Sequence, residues 1–101
     1  MNYIPRVSVI IPTFNRSHFI KNCILSVKLQ SFKPLEIIVV DDGSTDNTFS
    51  LLKNMGFSNS ENKDNEMKYI RTENKGISAA RNIGIRSSRG EFIALLDSDD
   101  V

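Results

Sequence analysis

Residues 36–46 read EIIVVDDGSTD, in which four consecutive apolar residues, 37–40, are followed by two aspartates and a glycine. A short run that is rich in β-branched residues and unbroken by polar positions is typical of a strand buried in a parallel sheet. Gly43 permits a sharp turn, and Thr45 and Asp46 are candidate N-caps for a helix that follows. This stretch therefore predicts a buried strand that leads through an acidic turn into a helix.

Three other apolar runs repeat this pattern along the chain. They are residues 7–11 (VSVII), residues 92–96 (FIALL), and a weaker run at Tyr69 and Ile70 within residues 68–72. Pro12 is predicted to end the first strand, because proline has no backbone N–H to donate to a sheet. All four runs are predicted to be buried parallel strands.

Segments with helical spacing alternate with these strands. The first is predicted to begin at Ser17 as its N-cap, the second to span residues 45–55 before Gly56, and the third to span residues 78–87. The residues predicted to face the sheet are Ile20, Cys23, Ile24 and Val27, then Phe49 and Leu52, then Ala79, Ala80 and Ile83. Together the elements predict an α/β fold with a parallel sheet and right-handed crossovers.

Composition limits the classes of function. The 101 residues allow one domain, and 13 Lys and Arg against 12 Asp and Glu leave a net charge of +1, which gives no reason to expect nucleic-acid binding. The single cysteine excludes an internal disulfide, and the first six residues do not resemble a signal peptide. No apolar run approaches the ~20 residues of a membrane span. A cytoplasmic location is therefore expected.

Ligands of parallel α/β sheets bind outside the carboxyl ends of the strands, so the residues after each strand are the candidates for a site. The first strand is followed by Pro12, Thr13, Phe14, Asn15 and Arg16. Two interpretations of this turn remain open. Either it only ends the strand with Phe14 packed beneath it, or a flat base stacks on Phe14 while the polar residues bind the rest of a nucleotide.

Carboxylates follow the second and fourth strands. One of Asp41 and Asp42 is not needed for capping and could accept a hydrogen bond from a base or a ribose; the alternative is that the segment only forms the turn and caps the helix. Asp97 and Asp99 lie two residues apart in an extended segment, which places them on one side, roughly 6.6 Å from each other. Oxygen ligands of this kind suit Mg²⁺ or Mn²⁺, and the alternative is a solvated acidic turn. Arg81, in the helix before the fourth strand, is predicted to form a structural ion pair with a carboxylate, and the alternative is an ordinary surface position.

Four segments together resemble the N-terminal part of family 2 glycosyltransferases, which are inverting enzymes of the GT-A fold. They are residues 7–16 (VSVIIPTFNR), 36–46 (EIIVVDDGSTD), 74–82 (NKGISAARN) and 90–100 (GEFIALLDSDD). Each is moderately specific, and the four in this order and spacing are highly specific. The resemblance implies that residues 1–101 form the Rossmann-like nucleotide-binding half of a GT-A domain, truncated after its DXD motif.

The resemblance also implies a role for each residue that follows a strand. Asp42 would contact the nucleotide base, Asp97 of the DXD motif would face the ribose, and Asp99, with Asp97, would bind Mn²⁺ or Mg²⁺. The nucleotide-binding residues implied in this way are Pro12, Thr13, Phe14, Asn15, Arg16, Asp42, Asp97 and Ser98. The donor would be a nucleoside diphosphate sugar with uridine as the base, and the acceptor, whether glycan, lipid or protein, is not identified.

The same resemblance sets expectations for the chain as a whole. The family's acidic catalytic base lies well after the DXD motif and is expected beyond Val101. The 101-residue chain alone is therefore expected to be inactive and to self-associate through uncovered sheet, while the full-length protein is expected in the cytoplasm or peripheral to the membrane.

Three alternatives remain open at this stage. A receiver-type signalling domain also gathers aspartates around Mg²⁺ at strand ends, but its acidic pair belongs near the start of the chain, where residues 12–15 have no carboxylate. A phosphatase of the DxDxT type would need threonine at the position of Val101. A nucleotide-sugar-binding module without transferase activity fits the same residues as the enzyme.

Overall fold

The structure is a computed structural model that describes residues 6–30, 33–59 and 66–97. Its elements alternate strictly between strand and helix, as the sequence predicts. In chain order they are β1 (Val7–Thr13), α1 (Ser17–Lys28), β2 (Glu36–Asp41), α2 (Thr48–Asn54), β3 (Met67–Arg71), α3 (Ile77–Ser87) and β4 (Phe92–Leu95).

The four strands form one parallel sheet in the order β3-β2-β1-β4. The chain moves outward from β1 to β3 and then crosses back over β2 and β1 to add β4 on the other side. This reversal makes the carboxyl ends of β1 and β4 the position where ligands of such sheets bind. The predicted α/β class and parallel sheet are confirmed.

Two hydrophobic cores lie on opposite faces of the sheet. One contains Val9 and Ile11 of β1 together with α1 and α2, and the predicted Ile20, Cys23, Ile24 and Val27 are all buried there. The other contains Ile10 of β1 and Ala80 of α3. Since neighbouring residues of a strand point to opposite faces, β1 and β2 alternate between the two cores.

Helix α3 lies very close to the sheet. Ala80 is buried, as predicted, and a Cβ added to Gly84 would lie 2.4 Å from Cγ2 of Ile10. No substituent fits at that distance without displacement of the core. The sequence predicts that Ala79 and Ala80 face the sheet, and Gly84 is a further small residue at this contact.

The prediction that Pro12 ends the first strand is wrong, because β1 continues to Thr13 and Pro12 pairs with Val40. Successive residues of β1 form their backbone hydrogen bonds toward β2 and toward β4 in turn. The oxygens of Val7 and Thr13 accept from backbone N–H groups on the β2 side, at residues 35 and 42, and the oxygen of Ile10 accepts from the N–H of residue 96 on the β4 side. By this alternation the missing N–H of Pro12 faces the β4 side, beyond the last paired residue of β4. Proline therefore costs no ladder bond here.

The predicted starts of two helices are also corrected. Ser17 is the first residue of α1 rather than its N-cap, and its N–H donates to Asp46 Oδ2 at 3.3 Å. Helix α2 begins at Thr48 instead of Thr45, with the Thr48 N–H donating to Asp46 Oδ1. Asp46, in the loop between β2 and α2, thus accepts a hydrogen bond from the first residue of each helix. Phe49 of α2 is half-exposed and packs against the Tyr69 ring of β3.

The prediction of a buried fourth strand is wrong for this chain. Phe92, Ile93 and Leu95 of β4 are 53%, 41% and 50% exposed. β4 pairs with β1 on one side only and is an edge strand of the sheet. Among the described residues, its apolar side chains are only partly covered.

A buried ionic cluster joins the strands at the opposite, amino-terminal edge of the sheet. Glu36 Oε2 accepts from Ser8 Oγ and from the backbone N–H of Arg89, both at 2.6 Å. Glu36 Oε1 lies 3.3 Å from Lys68 Nζ and 3.3 Å from Arg89 Nε. One carboxylate therefore connects β1, β2, β3 and the loop between α3 and β4.

Candidate functional site

A cavity of about 270 Å³ opens at the carboxyl ends of β1, β2 and β4. Its lining residues are Pro12, Thr13, Phe14, Arg16, Asp42, Ile77, Ala80 and Asp97. Six of the eight nucleotide-binding residues that the sequence predicts lie in this list. Asn15 lies beside the cavity, and Ser98 falls outside the described residues.

Asp42 follows β2 on the α3 face of the sheet and is 7% exposed. Its carboxylate accepts from Thr72 Oγ1 at 2.6 Å and from the backbone N–H groups of Lys75 at 2.8 Å and Gly76 at 2.9 Å. Burial raises the pKa of Asp42, but these donors outweigh it and hold the pKa below its ordinary value. Asp42 is therefore an oriented, ionised acceptor in the cavity wall.

Phe14 and Thr13 form the β1 side of the cavity. The Phe14 ring is 44% exposed, so it is not packed beneath the turn. Thr13 is 4% exposed, and its Oγ1 has no hydrogen-bond partner within the described protein. A buried hydroxyl without a partner is costly, about 1–3 kcal/mol, and a polar ligand group at this position would remove that cost.

Asn15 joins the loop after β1 to the loop after β2. Its backbone N–H donates to Ser44 Oγ at 2.8 Å, and its Oδ1 accepts from the N–H groups of Thr45 at 2.8 Å and Asp46 at 3.3 Å. The side-chain oxygen that the sequence assigned to a ligand is thus bonded to the neighbouring loop.

Asp41 is fully buried on the other face of β2. It accepts from the Ser44 N–H at 2.9 Å and from the Tyr69 hydroxyl at 2.6 Å. Burial, followed by the bond to Asp41, raises the pKa of Tyr69 to about 12, so the hydroxyl stays protonated and donates. The sequence pattern did not predict the hydrogen bond between Tyr69 and Asp41, although the alternation of side chains along β2 could have separated Asp41 from Asp42.

Asp97 lies at the end of β4 and forms the ion pair that the sequence predicts for Arg81. Arg81 Nη2 lies 3.1 Å from Asp97 Oδ1, while Arg81 Nε is buried without a partner in the described protein. Asp97 is half-exposed at the cavity, and its backbone oxygen is near Cys23 Sγ. The pair joins α3 to β4 where the two elements meet the cavity.

The predicted metal site is described only in part. Asp99 and its neighbours from residue 98 onward lie outside the described residues, and within the described ranges no group of three His, Cys, Asp or Glu side chains could hold a metal ion. Asp97, a hard oxygen donor beside the cavity, is chemically suited to Mn²⁺ or Mg²⁺.

Within the described ranges of the chain, no helix has the length and apolar character needed to cross a membrane.

Comparison with known proteins assigns the chain to a family. The family model described as "Glycosyl transferase family 2" matches residues 8–101. The chain is 41% identical over 98 residues to the GalNAc(5)-diNAcBac-PP-undecaprenol beta-1,3-glucosyltransferase of Campylobacter jejuni, covering 95% of this chain and 30% of that protein.

Two solved structures share the fold. A mannosyltransferase from Pyrobaculum calidifontis, in complex with GDP-Man and Mn²⁺, has a TM-score of 0.80 and 30% identity over 96% of this chain and 28% of its own. TarS 1-349 of S. aureus, in complex with UDP-GlcNAc, has a TM-score of 0.75 and 31% identity over 93% of this chain and 26% of its own. The chain spans 13–37% of the length of the curated relatives it matches.

Proposed function

The chain belongs to glycosyl transferase family 2, and on that premise we propose that it binds the nucleoside diphosphate sugar donor of an inverting, metal-dependent glycosyltransferase. The observation that carries the proposal is the cavity, where an exposed aromatic ring, an oriented carboxylate and the end of β4 meet. Family membership also removes the receiver-domain and phosphatase alternatives.

Each side of the cavity suits one part of the donor. The exposed face of Phe14 suits a stacked base, and the ionised Asp42 suits a base N–H. The unpartnered hydroxyl of Thr13 adds a polar contact, and Arg16 at the rim offers positive charge to phosphate. We propose uridine as the base; TarS was crystallised with UDP-GlcNAc, whereas the Pyrobaculum enzyme was crystallised with GDP-Man.

We propose that Asp99, with Asp97, holds Mn²⁺ or Mg²⁺, that Asp97 also faces the ribose, and that Ser98 is one of the nucleotide-binding residues. The bound cation would act as a Lewis acid that offsets charge on the leaving diphosphate. Within the described chain, Arg81 holds Asp97 in place through the 3.1 Å ion pair. The solved mannosyltransferase relative contains Mn²⁺ together with its donor, which supports metal use in this family.

We expect UDP to bind more tightly with Mn²⁺ or Mg²⁺ than with EDTA, while uridine binding is indifferent to metal. Replacing Asp99 by alanine should remove the metal dependence of UDP binding and leave uridine binding unchanged. Titration calorimetry with uridine, UDP and GDP measures all three effects, and Glu66→Ala is the matched control because it removes an exposed carboxylate far from the cavity. UDP affinity that is equal with metal and with EDTA would remove the metal role from Asp99.

We also propose that this chain self-associates through β4. An edge strand with three exposed apolar side chains is a template for pairing with another strand. Sedimentation velocity should show association that rises with concentration and falls in Ile93→Lys. Leu29→Lys is the control, since Leu29 is 84% exposed but lies at the end of α1. A monomer at all concentrations would contradict this prediction.

The acceptor, whether glycan, lipid or protein, stays open, and the relative from Campylobacter jejuni carries a lipid-linked saccharide in its name. The expected cytoplasmic or peripheral-membrane location stays a prediction. A longer form of the protein that binds UDP-sugar but transfers nothing to any acceptor would favour the binding-module alternative over the enzyme.

A further inference from the structure

The segment that carries Phe14 to the cavity turns at Asn15, whose φ is 51°. This left-handed conformation is uncommon for any residue except glycine, although asparagine tolerates it better than most. A backbone held in this conformation next to an exposed aromatic ring needs support from neighbouring structure. Among the described residues, that support comes from the loop after β2.

Four hydrogen bonds provide the support, and all involve Asn15; the longest, from Thr45 Oγ1 to Asn15 Oδ1, is 3.5 Å. Its backbone N–H donates to Ser44 Oγ, and its side-chain Oδ1 accepts from the next two backbone N–H groups, at Thr45 and Asp46. One residue is therefore bonded to three consecutive residues of the neighbouring loop through both its main chain and its side chain.

Ser44 is itself held from two directions, so it is a fixed anchor for Asn15. Its N–H donates to the buried Asp41 at 2.9 Å, and its carbonyl oxygen accepts from Arg71 Nη1 at 3.1 Å. Asp41 in turn accepts from the Tyr69 hydroxyl of β3. The position of the Phe14 turn is thus connected to β2 and β3 through a continuous set of hydrogen bonds.

We propose that Asn15 is a positioning residue of the donor site, which fixes the Phe14 ring against the cavity through Ser44 and does not bind the nucleotide itself. This inference rests on the proposed function, because it assigns Phe14 to the donor base. A ring that is already fixed loses less conformational freedom when a base stacks on it. The hydrogen bonds of Asn15 therefore raise affinity although Asn15 does not contact the ligand. Loss of the Asn15 contacts should therefore weaken binding of the base and leave binding of the diphosphate and the metal unchanged.

The chain contains no tryptophan, so Phe14→Trp introduces a single indole that reports the position of the ring. In this background, Asn15→Gly keeps the positive φ but removes Oδ1, whereas Asn15→Asp keeps both the tolerance of positive φ and an acceptor. We expect Asn15→Gly to change indole emission and its acrylamide quenching without ligand. In the chain that keeps Phe14, Asn15→Gly should lower the affinities for uridine and for UDP by roughly tenfold, the order of one base–aromatic stack.

The same variants separate positioning from direct binding. The ratio of UDP affinities with Mn²⁺ and with EDTA should not change in Asn15→Gly, and Asn15→Asp should restore emission and affinity. Ser44→Ala, which removes the acceptor of the Asn15 N–H, should weaken uridine binding as well, and the double variant should lose less than the sum of the two. Thermal melting of each variant shows whether the chain remains folded.

Two results would overturn the positioning role. One is unchanged indole emission and unchanged uridine affinity in Asn15→Gly. The other is a loss of UDP affinity with uridine affinity intact, which would make Asn15 a ligand of the diphosphate. If the chain without any substitution binds neither uridine nor UDP, the proposed function fails, while the emission of the ligand-free Phe14→Trp variants still tests whether Asn15 positions the ring.

Discussion

Replacing Asp42 by asparagine is expected to lower the affinity for uridine by about 10- to 150-fold, because a hydrogen bond to a charged group contributes about 1.5–3 kcal/mol. The carboxylate is ionised and oriented by Thr72, Lys75 and Gly76. An asparagine amide has one oxygen in place of two and would direct an NH₂ group at one of these donors or at the base N–H. Uridine and UDP should lose affinity by the same factor, since the proposed contact is to the base.

A matched control separates the loss of the base contact from the loss of the loop. Thr72→Val removes one donor to Asp42 but leaves the carboxylate and the two backbone donors in place. It should lower the melting temperature while changing uridine affinity much less than Asp42→Asn does. If the two variants lose uridine affinity equally, or if Asp42→Asn retains it, Asp42 only holds the loop of residues 72–76 and does not contact the base.

Asp42 should also give the site a simple pH dependence. Its pKa is held below the ordinary value of 3.8, so the carboxylate remains charged at every pH above that value. Uridine affinity should therefore be constant through the neutral and mildly acidic range and fall only as the pH drops through the lowered pKa. Calorimetric titration across this range measures the effect.

Most of the fold could be predicted from the sequence because the strong signals are local. Runs of β-branched residues such as 37–40 have few alternatives to a buried strand, and the buried faces of α1 follow directly from helical spacing. The ends of elements were less well predicted. Pro12 and Asp46 are understood only when their neighbours in space are known: Pro12 lies beyond the last residue pair of β1 and β4, and Asp46 lies at the start of α1.

The candidate site divides in the same way. Phe14, Asp42 and Asp97 could be placed near one another, because the carboxyl ends of parallel strands meet at one edge of the sheet. The sequence could not show that Asn15 bonds to the next loop, since its partners there are 29 to 31 residues away. Such contacts depend on the register between β1 and β2, which no local pattern specifies.

The second large effect is expected at the opposite edge of the sheet, where Glu36→Gln should lower the free energy of unfolding by about 3 kcal/mol or more. The amide cannot neutralise Lys68, whose side chain is only 16% exposed, and it turns an NH₂ group toward donors that Glu36 now accepts from. At roughly 4–8 °C per kcal/mol for a domain of this size, the melting temperature should fall by more than about 10 °C.

The pH dependence of stability identifies the charge as the cause. Burial raises the pKa of Glu36, but the bonds from Ser8 and Arg89 and the charge of Lys68 outweigh it and lower the pKa below 4.5. A carboxyl whose pKa is lowered by folding contributes stability that is fully present above its unfolded value and is lost as the pH falls through its folded value. The wild-type chain should therefore lose stability below about pH 4.5, and Glu36→Gln should remove that part of the loss.

Removing the partner as well tests whether the uncompensated cation is what destabilises the variant. Lys68→Met alone leaves Glu36 with Ser8 and Arg89 and should cost less than Glu36→Gln. The double variant should recover part of the loss, because the buried amine is gone along with its carboxylate. Chemical denaturation of the three variants measures these differences in the free energy of unfolding. If the two single variants lose equal amounts, and the double variant loses their sum, Glu36 and Lys68 are not coupled. Because this cluster lies at the edge opposite the cavity, uridine affinity measured on the folded variants should stay at the wild-type value, so stability and donor binding are separable in this chain.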